Sequence, residues 1–111
     1  MKDERLYLHH MLERCERVAG YIVGGRDAFF ASEQQQDAVI RNLELIGEAA
    51  KRVGPGLRAT LPELDWRRIC GMRDVLIHGY LGVDIEEVWN VASKHLPEVD
   101  QALRRCLKPR S

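Results

Sequence analysis

Residue types that suit chemistry on a phosphate crowd into one stretch, RDVLIHGY, residues 73–80. An arginine stays charged at any working pH and grips phosphate oxygens with parallel donors. A histidine takes or gives a proton near neutral pH. A tyrosine orients a phosphate or stacks on a base. Arg73 and His78 together suit metal-free cleavage of RNA. The base removes the 2′-OH proton, the oxygen attacks the adjacent phosphate, and the arginine offsets the developing charge. Helical arithmetic complicates the pairing. Arg73 and Tyr80 are seven apart and share a face, whereas His78 is turned from Arg73 by about 140° on a straight helix. Either Gly79 loosens the last turn and releases His78, or a second copy of the helix packs alongside and one site draws on both. On composition alone a second reading stays open: a helix C-terminus where His78 meets the dipole and Arg73 makes a surface pair.

The elements that must position this stretch read as helices, and no segment alternates as a strand does. Leu8, Leu12, Cys15, Ala19 and Ile22 form one apolar stripe and predict a helix over 3–23, ended by Gly24-Gly25. Residues 27–31 read as a connector with two aromatic anchors, Phe29 and Phe30. SEQQ then offers a capping box at Ser32 and Gln35. A second helix over 33–53 carries the stripe Val39, Leu43, Ile46 and Ala50, and GPG stops it. Asp65 is placed to cap a third helix over 66–77. Asp84 and Glu87 open a fourth, in which Pro97 predicts a kink or two abutting helices. The architecture read from this pattern is an all-α bundle of four main helices.

Length and charge bound the rest. A chain of 111 residues predicts one domain, 1–111, with a core small enough to favour pairing with a second copy. Lys+Arg and Asp+Glu balance at 17 each, so any affinity for a polyanion must come from a local patch. Cys15, Cys70 and Cys106 are scattered, with no CxxC spacing, which argues against a disulfide framework or a thiolate zinc site. The N-terminus has no apolar run fit for a signal peptide. No stretch approaches the ~20 apolar residues of a membrane span. The sequence therefore predicts a cytoplasmic protein with no membrane partner.

Other groups compete for attention. Glu44 and Glu48 are four apart, but no histidine sits three residues beyond either, so a solvated or salt-bridged face outweighs a metal site. His9 and His10 point to different faces. Arg67 and Arg68 offer a basic rim, and Arg104, Arg105, Lys108 and Arg110 a positive cluster, for RNA or an acidic surface. His95 reads as structural.

Along nearly its whole length the sequence resembles the HepT-type HEPN proteins, the ribonuclease-toxin branch of that superfamily. The carrying motif is Arg, four residues, His, one residue, Tyr, standing here as Arg73, His78 and Tyr80. IGEAAKR, residues 46–52, resembles the second-helix segment of the family. LPELDWRRICGMRD, with Trp66 and Gly71, resembles the approach to the motif, and YLGVDIEEVW, through Trp89, resembles the segment beyond it.

The resemblance implies an up-and-down four-helix bundle of HEPN type with a short or kinked extra helix near the C-terminus. It implies a homodimer in which two motifs face one cleft, with Arg73 and His78 as the catalytic pair of an endoribonuclease that needs no metal and no cofactor. It also implies a toxin whose cognate antitoxin is a minimal nucleotidyltransferase. In some such pairs the partner silences the toxin by adding AMP to the motif tyrosine, here Tyr80, and a bulky anion there would fill the cleft and repel RNA. Glu48 falls in the family-like GEA segment and is a supporting candidate. Many relatives carry asparagine after the motif arginine, where this chain has Asp74. A carboxylate there can orient or partly neutralise Arg73, or raise the pKa of a neighbouring histidine. The competing function is a catalytically idle HEPN-like module that only pairs with a nucleotidyltransferase.

Overall fold

Helix α1 (Arg5–Tyr21) buries Leu8, Met11, Cys15 and Val18 along one stripe. The computed structural model describes residues 3–72 and 82–107. Leu8 and Cys15 are inside as the sequence predicts. Met11 and Val18 take the remaining inner positions, and the expected stripe is corrected there. The reason is that α1 is gripped from two sides. Ala19 and Ile22 border an open groove shared with Ala92, Leu96 and Pro97 instead of facing the core centre.

The predicted connector is a helical turn, α2 (Arg26–Phe30), entered through Gly25, whose φ of 92° suits glycine. Phe29 is fully buried, with Trp89 at 5.4 Å and Phe30 at 5.6 Å between ring centroids. Burial of a ring of this size stabilises by about 1.5–3 kcal/mol. The Gln36 amide donates to the carbonyls of Phe29 and Phe30 and closes the turn.

Helix α3 (Glu33–Lys51) starts where Ser32 Oγ accepts from the Gln35 N–H at 3.1 Å. It buries Val39, Leu43, Ile46 and Ala50, the expected stripe. It runs antiparallel to α1. The Gly54 N–H donates to Glu4 Oε1 at 2.8 Å at one end, and Arg14 Nη1 donates to Asn42 Oδ1 at 3.3 Å further along. Asn42 is buried and satisfies its own amide on the Ala38 carbonyl.

The GPG stop leads into a short turn, α4 (Pro55–Arg58), with proline at the position that tolerates a missing N–H. Helix α5 (Trp66–Cys70) follows, capped by Asp65, whose Oδ1 accepts from the Arg68 N–H at 3.0 Å. The third helix was expected to reach 77. Its course from 73 onward lies outside the described residues.

Helix α6 (Ile85–Asn90) is capped by Asp84, as predicted. It passes into a widened π-helical turn, Val91–His95, and then α7 (Leu96–Leu107). The Leu96 N–H reaches back five residues to the Val91 carbonyl. The wide turn takes up the missing donor and the ring of Pro97, so the expected kink takes this form. Helix α7 lies antiparallel to α1, with Arg104 paired to Glu16 at 2.6 Å. The result is an all-α, up-and-down bundle. Helices α1 and α3 form its centre, α7 covers α1, and α5 and α6 lie against α3.

Candidate active site

The structure frames the RDVLIHGY stretch from both sides. Arg73, Asp74, His78 and Tyr80 lie outside the described residues. Met72, the residue before them, is buried in the core. After them, Gly82 has a φ of 93°, and Val83 packs against the core. The described residues on either side, Met72 and Val83, thus belong to the packed bundle.

The approach is built by two features of the α3–α5 contact. Gly47 on α3 lies under α5, where a Cβ would meet the carbonyl oxygens of Ile69 at 3.3 Å and Cys70 at 3.5 Å. Ile69 is fully buried against that face. Arg58 then bridges the two helices. Its Nε donates to the Val53 carbonyl at 2.8 Å, and its Nη2 to the Ala50 carbonyl at 3.1 Å and Cys70 Sγ at 3.4 Å. Its guanidinium lies over the Trp66 ring at 5.3 Å, and Trp66 Nε1 donates to the Leu61 carbonyl. Neither Gly47 nor Arg58 stands out from sequence alone. The signal for Arg58 is a basic residue just beyond a helix end, where unpaired carbonyls need donors.

The far side is held by α2 and α6. Arg26 pairs with Glu86 and covers the Phe30 ring at 4.4 Å. The Arg26 hydrogen bond holds the Glu86 carboxyl below the usual carboxylate range.

Glu48 is exposed and lies 3.6 Å from Lys51. It borders a groove of about 350 Å³ between α1 and α3, with Leu6, Tyr7, His10 and Arg52. Gly47 faces α5. Glu48, a further ~100° round the helix, faces α1. His9 and His10 are exposed on α1. Among the described residues no three His, Cys, Asp or Glu side chains are arranged to hold a metal ion. No described helix is long and apolar enough to cross a membrane.

The basic residues divide. Arg104 is engaged by Asp100 and Glu16, and Arg105 by Glu63 at 2.7 Å. The expected positive cluster is therefore largely neutralised in its described part, while Lys108 and Arg110 lie outside the described residues. Arg68 joins Asp65, His95, Glu98 and Arg105 around a polar cleft of about 390 Å³. The Nε2 of His95 is buried there with no hydrogen-bond partner among the described residues. Burial first, and then the Arg68 charge, push its pKa below the ordinary value. Cys15 sits inside the bundle, and burial, with Asp100 and Glu16 nearby, pushes its thiol up to about 12. Cys70 and Cys106 are half-buried.

Comparison with known proteins places this scaffold. A family model described as ribonuclease HepT-like matches residues 11–106, which include the whole 73–80 stretch. A candidate RNase of Caldanaerobacter subterraneus subsp. tengcongensis is 35% identical over 109 residues, covering 97% of either chain. A protein of Thermococcus cleftensis named a probable ribonuclease HepT is 41% identical over 80 residues, 72% of this chain and 73% of that one. A Methanocaldococcus jannaschii protein named a gamma-glutamylcyclotransferase and candidate RNase is 37% identical over 108 residues. That match takes in 96% of this chain, which spans about half (49%) of the length of that protein. No solved structure matches the chain.

Proposed function

The chain belongs to the HepT-like ribonuclease family, and on that footing we propose that it is a metal-independent endoribonuclease toxin acting as a homodimer. The observation that carries the reading is the family match over residues 11–106, enclosing Arg73, His78 and Tyr80 at the spacing of the motif. The names of the two relatives matched over most of their length agree with a ribonuclease.

In this reading His78 takes the 2′-OH proton, and the oxygen attacks the adjacent phosphorus. Arg73 stabilises the charge gathering on the phosphoryl oxygens. The bond from phosphorus to the 5′-oxygen breaks as that oxygen takes up the proton His78 removed, and the upstream fragment ends in a 2′,3′-cyclic phosphate. Because Arg73 and His78 diverge on a straight helix, a second protomer completes the site. Tyr80 contacts RNA and accepts AMP from a nucleotidyltransferase antitoxin. Asp74 orients one of the two, and Glu48 is a supporting residue. The direct test is cleavage of RNA by the purified protein in excess EDTA. Wild type is expected to cut and His78→Ala to be inert. Cleavage that survives His78→Ala removes the assignment.

One observation favours a second reading, an idle HEPN-like module that only binds the nucleotidyltransferase. Asp74 places a carboxylate beside Arg73 in a chain with 17 basic and 17 acidic residues. Expression without the partner separates the two. Growth arrest relieved by Arg73→Ala supports the toxin, and harmless expression with partner binding intact supports the module.

A further inference from the structure

We infer that Arg58 is a positioning residue for the reaction, fixing the direction in which α5 delivers the chain to Arg73; the inference rests on the ribonuclease reading.

Helix α5 has five residues, too few to hold a helical conformation or a direction unaided. Its orientation has to come from what it touches. Arg58 touches both of its ends. The guanidinium covers Trp66, the first residue, and Nη2 reaches the sulfur of Cys70, the last. The same group donates to the Ala50 carbonyl in the last turn of α3, which also accepts from the Val53 N–H, and to the Val53 carbonyl just beyond the helix. One half-buried side chain thus joins the end of the scaffold helix to both ends of the helix that leads into the site. Gly47 sets how closely α5 approaches, and Arg58 sets its tilt.

Cys70 is three residues before Arg73. In the ribonuclease reading that arginine must meet the phosphate, and misplacing a catalytic group by about 1 Å costs roughly 100-fold in rate. Lysine keeps the charge at position 58. Its three N–H bonds leave a single nitrogen on a flexible stem, so it lacks the flat, spread donors with which the guanidinium covers an indole and reaches several acceptors at once. Arg58→Lys therefore separates positioning from charge, and Arg58→Met keeps only the stem.

The experiment compares wild type, Arg58→Lys and Arg58→Met for steady-state RNA cleavage and for amide hydrogen exchange by mass spectrometry. The proposal expects kcat to fall about 10- to 100-fold with KM within about twofold. It also expects faster exchange over 66–80 and unchanged exchange in α1 and α7. Wild-type kcat in the lysine variant, or exchange rising equally throughout the chain, overturns it. The wild-type control separates the two possible failures. If wild type cuts no RNA, the ribonuclease reading falls. Faster exchange confined to 66–80 would then leave Arg58 a structural brace with no part in catalysis, which overturns this proposal as well.

Discussion

A Cβ added to Gly47 would stand 3.3 Å from the carbonyl oxygen of Ile69, on the helix that leads into the RDVLIHGY stretch. That gap ties a single glycine of α3 to the geometry of the site. Two effects oppose each other in Gly47→Ala. Alanine favours the helix by about 1 kcal/mol, while its methyl pushes α5 outward by a few tenths of an ångström. The expected result is a melting temperature within about 5 °C of wild type, with RNA cleavage reduced several-fold. Unchanged cleavage would show that α5 does not relay position to the site.

The helix caps offer a contrast. Ser32 caps α3 at the far end of the bundle centre, and Asp65 caps the short helix before the site. Either residue changed to alanine should cost about 1 kcal/mol, roughly 4 °C in thermal unfolding. Only Asp65→Ala should lower cleavage at a temperature where both variants are folded. Parallel melting curves and cleavage rates check this. Equal loss of activity in both would refute it.

His95 makes stability depend on pH with a definite sign. Its folded pKa lies below the ordinary value of 6.5 because burial and Arg68 disfavour the cation, with Glu98 and Asp65 opposing them. Below pH 6.5 the unfolded chain therefore binds the proton first. The stability contributed by neutral His95 is fully present above about pH 6.5 and is lost as pH falls from there through the folded pKa. His95→Gln should lose less melting temperature than wild type between pH 7.5 and 5.5. An equal drop in both proteins would contradict the burial argument.

The cysteines should differ in reactivity. Cys15 is buried with its thiol pushed up to about 12, so very little thiolate exists at pH 8. Iodoacetamide at pH 8 should leave Cys15 unmodified in the folded protein and label it fully in denaturant, read peptide by peptide by mass spectrometry. Rapid native labelling of Cys15 would mean that α1 opens from α7.

Much of the frame was legible because it depends on local rules. Ser32, Asp65 and Asp84 read as caps from their spacing to the following helices, and all three accept the backbone N–H expected of a cap. The α3 stripe was readable because α3 is buried along one continuous face. The α1 stripe was only half readable, since its inner face depends on where α3 and α7 lie, which spacing alone does not tell. Helices α2 and α4 are single turns, too short for periodicity to register. Gly47 and Arg58 were silent for another reason. Their roles come from α5 packing on α3, a contact between residues distant in sequence. Pro97 announced a break but not its form, a π-helical turn. Arg73, His78 and Tyr80 were legible as chemistry through residue type, spacing and family likeness, and Glu48 through its family-like segment. The face that Glu48 shares with α1 emerged only from the packing of α1 on α3.

The most direct test of the central claim is cleavage of a defined RNA by purified protein in excess EDTA, with Arg73→Ala and His78→Ala measured beside wild type. All three must first show the same circular dichroism and the same oligomeric state. The account predicts cutting by wild type and a loss of at least about 100-fold in either variant. Wild-type cutting by a folded His78→Ala, or cleavage by wild type that disappears in EDTA, would contradict it.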